Sequence, residues 1–180
     1  MNALVNIKGQ ASAISVVSQE PQQYLTFMLG REVFAIGILH IKEIIEYGQL
    51  TTVPMMPVFI RGVINLRGAV VPVVDLSSRF GGQPSQVTRR SCIVILELEV
   101  EDEIQVIGVV VDAVNEVLEI AATDIEPAPS FGTRIRTDFI QGMGKVQDRF
   151  VIILNVNNVL SSEELAMIGR AETLVETAEQ

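Results

Sequence analysis

Short runs of Val, Ile, Leu and Phe, separated by Gly, Pro and charged positions, dominate this chain from Gln23 onward. Such runs read as β-strands bounded by turns. Tyr24-Leu25-Thr26-Phe27-Met28-Leu29, then Gly30-Arg31-Glu32, then Val33-Phe34-Ala35-Ile36 predict a hairpin, because a glycine turn lies between two strand-forming runs. The run Ile36 to Ile45 is expected to continue as strand. Gln49 to Met56 is a further strand candidate, and Pro57 to Arg61 is expected to form a single helical turn. Gly62 to Leu76 predicts a second hairpin around Leu66-Arg67-Gly68. Pro72 in its return strand lacks a backbone donor, which places that strand at an edge or at a bulge. Ser77 to Gly82 closes the first half.

The second half opens with Cys92 to Leu98, turns over the acidic Glu99 to Glu103 and returns as Ile104 to Val111. Ser161-Ser-Glu-Glu164 reads as a capping box, and Met167, Ala171, Leu174 and Ala178 follow on one helical face. Residues 1–20 are small and polar without periodicity, as in a flexible tail, and the acidic C-terminal end is expected to fray.

The pattern occurs twice. Ala35 to Ile45 matches Gly108 to Leu118 at an offset of 73 residues, with Glu43 on Glu116. Phe59 to Leu76 matches Phe139 to Val156 at an offset of 80, with Phe59, Ile60 and Gly62 on Phe139, Ile140 and Gly142. The second copy is seven residues longer between these blocks, where Glu126-Pro-Ala-Pro-Ser-Phe-Gly132 reads as loop. Many short strands, duplicated and with few helices, predict two small β-barrels packed together. The expected divisions are a first barrel over residues 21–84, a second over 85–160, and a C-terminal helix with its frayed end over 161–180.

Composition narrows the function. The 180 residues are 48% hydrophobic and 19% charged, enough apolar surface for a core. No apolar run approaches the roughly 18 residues that span a bilayer, and no leader pattern opens the chain. A net charge of −9 argues against nucleic acid and against anionic membrane surfaces. The single cysteine, Cys92, rules out an internal disulfide and suits a reducing cytoplasm.

Candidate chemistry is sparse. Cys92 sits in an apolar run and reads as core. His40 is the only histidine and cannot by itself anchor a metal, which needs three or four ligands. No phosphate-binding loop is present, and Glu163-Glu164 reads as a helix cap. No cofactor and no catalysis are expected. The remaining feature is a difference between the copies. Asn65-Leu66-Arg67-Gly68 corresponds to Lys145-Val146-Gln147-Asp148, so the turn recurs and the arginine does not. Arg67 either decorates a turn or serves recognition, with Glu43 as its candidate partner. Glu43 has Glu116 as its counterpart and is explained by the shared fold.

These residues bring a family into view. Phe59-Ile-Arg-Gly-Val-Ile-Asn-Leu-Arg-Gly68, Val71-Pro-Val-Val-Asp-Leu76, Gly108-Val-Val-Val-Asp112, Ile125-Glu-Pro-Ala-Pro129 and Ser161-Ser-Glu-Glu-Leu165 resemble, in order, the blocks of the CheW family of bacterial chemotaxis coupling proteins. The resemblance runs from about Gln23 to Ala171. It implies a mainly β fold of two five-stranded SH3-like barrels around a shared core. It also implies a non-catalytic, cytoplasmic adaptor, recruited to membrane-associated receptor arrays without inserting into the membrane. Its implied partners are the regulatory domain of the histidine kinase CheA and the cytoplasmic tip of chemoreceptors. Carried over by position, Gly62, Asn65, Arg67, Gly108 and Val117 would face the receptor, and Ile41, Glu43, Ile45 and Leu50 the kinase. The acidic hairpin Glu99 to Glu103 is longer than the family pattern. The competing reading is a double barrel that binds a small ligand between its halves.

Overall fold

The computed structural model describes residues 20–128 and 137–169. The expectations for the N-terminal tail, for most of the Pro-rich loop and for the chain after Gly169 lie outside these residues. The fold is mainly β. Its strands are β1 Gln22–Leu29, β2 Glu32–Gly37, β3 Ile41–Glu46, β4 Ile60–Leu66, β5 Ala69–Asp75, β6 Cys92–Val100, β7 Glu103–Val111, β8 Ala113–Ile120, β9 Ile125–Glu126, β10 Ile140–Val146 and β11 Arg149–Leu154. A short helix α1, Leu76–Arg79, follows β5, and residues 162–169 form helix α2.

Two sheets arise, in the orders β8-β1-β2-β11-β10-β9 and β3-β6-β7-β5-β4. Each curls into a barrel. In the first, β8 runs through a 3-10 turn at Ala122–Asp124 into β9, which pairs with β10. In the second, the segment after β3 reaches Thr51, which bridges Val63 of β4. The repeat predicted from sequence is therefore real, but the barrels are not its two halves. Each sheet takes strands from both sides of residue 84, so the division into 21–84 and 85–160 does not hold. The hairpin β1–β2 belongs with β8–β11, and β6–β7 belongs with β3–β5. Each copy lends its opening hairpin to the other copy's strands. We call β3–β7 the inserted barrel and the remainder the flanking barrel.

Three apolar clusters follow from this arrangement. Val71, Val73, Ile93, Ile95 and Val110 fill the inserted barrel. Tyr24, Ala35, Ile120, Val151 and Ile153 fill the flanking barrel. The largest cluster lies between them and includes Phe27, Phe34, Leu76, Val109, Phe139 and Leu154. Rings of Phe27, Phe34, Phe80 and Phe139 follow one another there at centroid separations of 6.0, 5.8 and 5.4 Å. Successive strand residues face opposite sides, so strands such as β6 bury one row in a barrel and the other in the shared core.

The copies reproduce details. Both β4 and β10 carry a bulge, between Ile60 and Gly62 and between Ile140 and Gly142. Asp75 N–H donates to Phe59 O at 2.7 Å, and Asn155 N–H donates to Phe139 O at 2.8 Å. A Cβ on Gly62 would lie 2.5 Å from Thr51 O, and one on Gly142 would lie 3.0 Å from Glu126 O. The glycine recurs because a crossing segment passes at backbone distance.

Several local expectations are corrected. The run Ile36 to Ile45 breaks at a 3-10 turn, Ile38–His40, which carries the chain from one barrel to the other. Gln49 to Met56 contributes only the Thr51–Val63 bridge, and the helical turn expected over Pro57 to Arg61 is a tight turn closed by Ile60 N–H to Pro57 O at 2.9 Å, with Ile60 and Arg61 already in β4. Strand β5 is interior, between β7 and β4. Pro72 is tolerated because its partner Val63 spends both backbone groups on Thr51, at 2.8 and 2.9 Å. Pro72 thus holds a non-bonded position, one residue before the ladder with β7 begins at Val73. In α2 the capping box forms, with Glu164 N–H donating to Ser161 Oγ at 3.1 Å and Ser161 N–H to Glu164 Oε1 at 2.7 Å. Its inward residues are Leu165 and Ile168, and Met167 is exposed instead of facing the core.

Candidate functional site

The β4–β5 turn consists of Arg67 and Gly68, both at positive φ (53° and 88°). This is the two-residue hairpin geometry that matches strand twist. Asn65 Oδ1 accepts from Gly68 N at 2.9 Å and locks the turn. The Arg67 side chain is 73% exposed, and its Nη1 and Nη2 donate to Oε1 and Oε2 of Glu43, each at 2.9 Å. The fork-to-fork geometry fixes both side chains in one plane. Turn and partner lie at one end of the inserted barrel. The equivalent turn of the flanking barrel has Gln147 and Asp148 at φ of 48° and 65°, so the backbone conformation persists without arginine or glycine.

The other expected site residues divide sharply. Asn65 is exposed beside Arg67, and Val117 is exposed on β8 of the flanking barrel. Gly62 and Gly108 are buried and cannot meet a partner directly. Gly108 lies in the inner strand β7, where a Cβ would stand 2.7 Å from Ile93 Cγ2. The resemblance implies both at a receptor-facing surface; the fold instead buries them. On β3, Ile41 packs on the shared core, whereas Ile45 packs on the core of the inserted barrel with Tyr47 and Leu50. A bulge between Ile41 and Glu43 causes this switch of face. Ile44 is the apolar residue of β3 that faces outward, 42% exposed.

Two polar clusters were missed by the sequence reading. Arg61 on β4 donates from Nε to Asp75 Oδ2 at 3.0 Å, from Nη1 to the Tyr47 hydroxyl at 3.1 Å and from Nη2 to Ser85 O. Asp75 is 1% exposed and also accepts from Ser85 N at 2.9 Å and Ser78 N at 3.3 Å. Burial alone would lower the Arg61 pKa, but the bonds to Tyr47 and Asp75 outweigh it and raise the value. The corresponding residues of the second copy are Gln141 and Asn155. The comparison that isolates Arg67 against Gln147 contains this signal too.

The second cluster centres on Arg79 of α1. Its guanidinium carbon lies 4.6 Å from the Phe59 ring centroid and 4.9 Å from that of Phe139, two residues the repeat makes equivalent. Its Nε donates to Val159 O at 2.7 Å and its Nη2 to Glu164 at 2.9 Å. Arg79 thereby joins both copies to α2.

Among the described residues no group of three or more His, Cys, Asp or Glu could hold a metal, and no helix is long and apolar enough to cross a membrane. Burial, with a smaller effect from Glu46, raises the Cys92 pKa and so disfavours its thiolate at neutral pH.

Two interlocked SH3-like barrels, with an exposed charge pair on one end, define a double-barrel interaction module. Residues 23–164 match the CheW-like domain, and the chain belongs to that family. It is 37% identical over 147 residues to the chemotaxis protein CheW of Klebsiella aerogenes, covering 82% of this chain and 86% of that one. It is 34% identical to the CheW of Bacillus subtilis, covering 79% and 88%. Among solved structures it resembles the scaffolding protein TtCheW of Thermoanaerobacter tengcongensis, with a TM-score of 0.72, 34% identity and coverage of 81% and 91%.

Proposed function

We propose that this protein is a non-catalytic adaptor that couples chemoreceptors to the histidine kinase CheA, working in the cytoplasm at membrane-associated receptor arrays. The observation that carries the reading is the match to chemotaxis CheW proteins over most of the chain. The Arg67–Glu43 pair supports it, since an exposed arginine that the duplicated turn lacks serves no need common to both barrels. In this reading Asn65, Arg67 and Val117 face the receptor tip, with Gly62 and Gly108 shaping the backbone beneath. The inserted-barrel end, from Ile41 through Glu43 and Ile45 to Leu50, faces the regulatory domain of CheA.

The small-ligand alternative is not favoured, because side chains of Phe27, Phe34, Phe80 and Phe139 occupy the space between the barrels. Titration of the purified chain against CheA by calorimetry, with parallel sedimentation on receptor-containing membranes, tests the proposal. Saturable one-to-one binding in both assays is expected, and binding in neither would overturn it.

A further inference from the structure

The two barrels close by different means. In the flanking barrel the chain leaves β8 through a 3-10 turn with its own hydrogen bond, Asp124 N–H to Ala121 O at 2.9 Å, and enters β9. In the inserted barrel the chain leaves β3 without regular structure over residues 47–50. This stretch carries Leu50 and is anchored at its ends. Tyr47 N–H donates to Ser91 O at 3.3 Å, and Thr51 bridges Val63. The Tyr47 hydroxyl adds a third anchor through Arg61.

Arg61 therefore sits where the irregular closure needs support, and Asp75 holds Arg61. The pair also draws in Ser85, so the link between α1 and β6 is fastened to the same point. The equivalent positions in the self-supporting closure, Gln141 and Asn155, carry no charge. A folded SH3-like barrel with this closure thus does not require the ion pair; the irregular closure makes use of it.

We infer that Arg61 and Asp75 are positioning residues for the kinase-facing end of the inserted barrel. They hold Tyr47 to Leu50 in the one arrangement that the kinase recognises. This rests on the kinase-facing reading given above. The pair touches no partner itself and acts by keeping an irregular stretch from sampling other conformations. Order set in advance lowers the entropy lost on binding.

The test exchanges the pair for its second-copy counterpart, Arg61→Gln with Asp75→Asn. Changing both avoids leaving one buried charge unpaired. The full chain is measured for affinity to CheA, for binding to receptor-containing membranes and for melting temperature. The kinase Kd is expected to rise about tenfold, as for loss of an ordered interface segment, while receptor binding stays within about twofold. Tyr47→Phe, which removes only the hydroxyl anchor, is expected to shift the kinase Kd in the same direction by less.

Unchanged kinase affinity in the double variant, with the wild type binding, overturns the inference alone. Equal loss of kinase and receptor binding, with melting many degrees lower, assigns the pair a purely structural role and also overturns it. A wild-type chain that binds no CheA overturns the kinase-facing reading and this inference with it.

Discussion

Arg67 and Glu43 face each other through two parallel hydrogen bonds of 2.9 Å, one residue on a hairpin turn and the other on β3. The fold supplies a comparison for this pair within the same chain. The duplicated barrel keeps the glutamate, as Glu116, and the turn, as Gln147-Asp148, yet lacks the arginine.

Because Arg67 is largely exposed, its pair adds little stability. Exposed pairs contribute about 0.2–1 kcal/mol, and screening places this one at the low end. Arg67→Ala is expected to leave thermal unfolding within about 0.5 kcal/mol of the wild type. Receptor-controlled kinase activity should nevertheless fall. The double exchange Glu43→Arg with Arg67→Glu separates two mechanisms: partial recovery assigns the effect to the internal pair, and no recovery assigns it to direct recognition by Arg67.

The proposed kinase-facing end is tested with Ile44 rather than Ile45. Ile45 packs against the core of the inserted barrel, so Ile45→Asp should cost roughly 2–4 kcal/mol of stability by placing a carboxylate among apolar side chains. Ile44 faces outward on the same strand. Ile44→Asp should leave the circular dichroism melt unchanged and weaken CheA binding about tenfold, the effect of losing one apolar contact at an interface core. Calorimetry on both variants checks the contrast.

Glycine positions make a stability prediction. A Cβ at Gly62 meets the backbone oxygen of Thr51 at 2.5 Å, while one at Gly68 meets nothing within 4 Å. Gly62→Ala must displace the segment that closes the inserted barrel, at a cost of about 1–3 kcal/mol. Gly68→Ala strains only a turn at positive φ, costing about 1 kcal/mol. Denaturant unfolding should rank Gly62→Ala as the more destabilised.

Arg79 is expected to fasten α2. Removing its guanidinium loses contact with two rings, a bond to Val159 O and the pair with Glu164. Arg79→Ala should cost about 2 kcal/mol or more. Hydrogen exchange should accelerate first at the amides of residues 162–169, because that helix depends on the arginine more than the barrels do.

Much of this fold is written in the sequence pattern. The hairpins β1–β2, β4–β5 and β6–β7, the duplication and the capping box at Ser161 all follow from local spacing and turn chemistry. The exchange of hairpins between copies does not. Alternation along a strand fixes which side chains share a face, but says nothing about which strand lies alongside. The turn at Ile38–His40 shows the same limit, since Gly37 and β-branched neighbours are compatible with an unbroken strand. The bulge after Ile41 reverses the faces of β3, and no local residue announces it. Of the site, Arg67 stands out on comparing the copies, while Glu43, which both copies share, is legible only as its candidate partner. Arg61 and Asp75 stood in the same comparison, but their partner Tyr47 and the linker carbonyl of Ser85 are brought together only by the folded barrel.

The central claim is that one chain joins receptor and kinase. The most direct measurement sediments receptor-containing membranes with CheA, in the presence and absence of this protein. CheA is predicted to pellet with the membranes in proportion to added protein, and Arg67→Ala is predicted to reduce that recruitment. Equal CheA in the pellet with and without the protein would contradict the account.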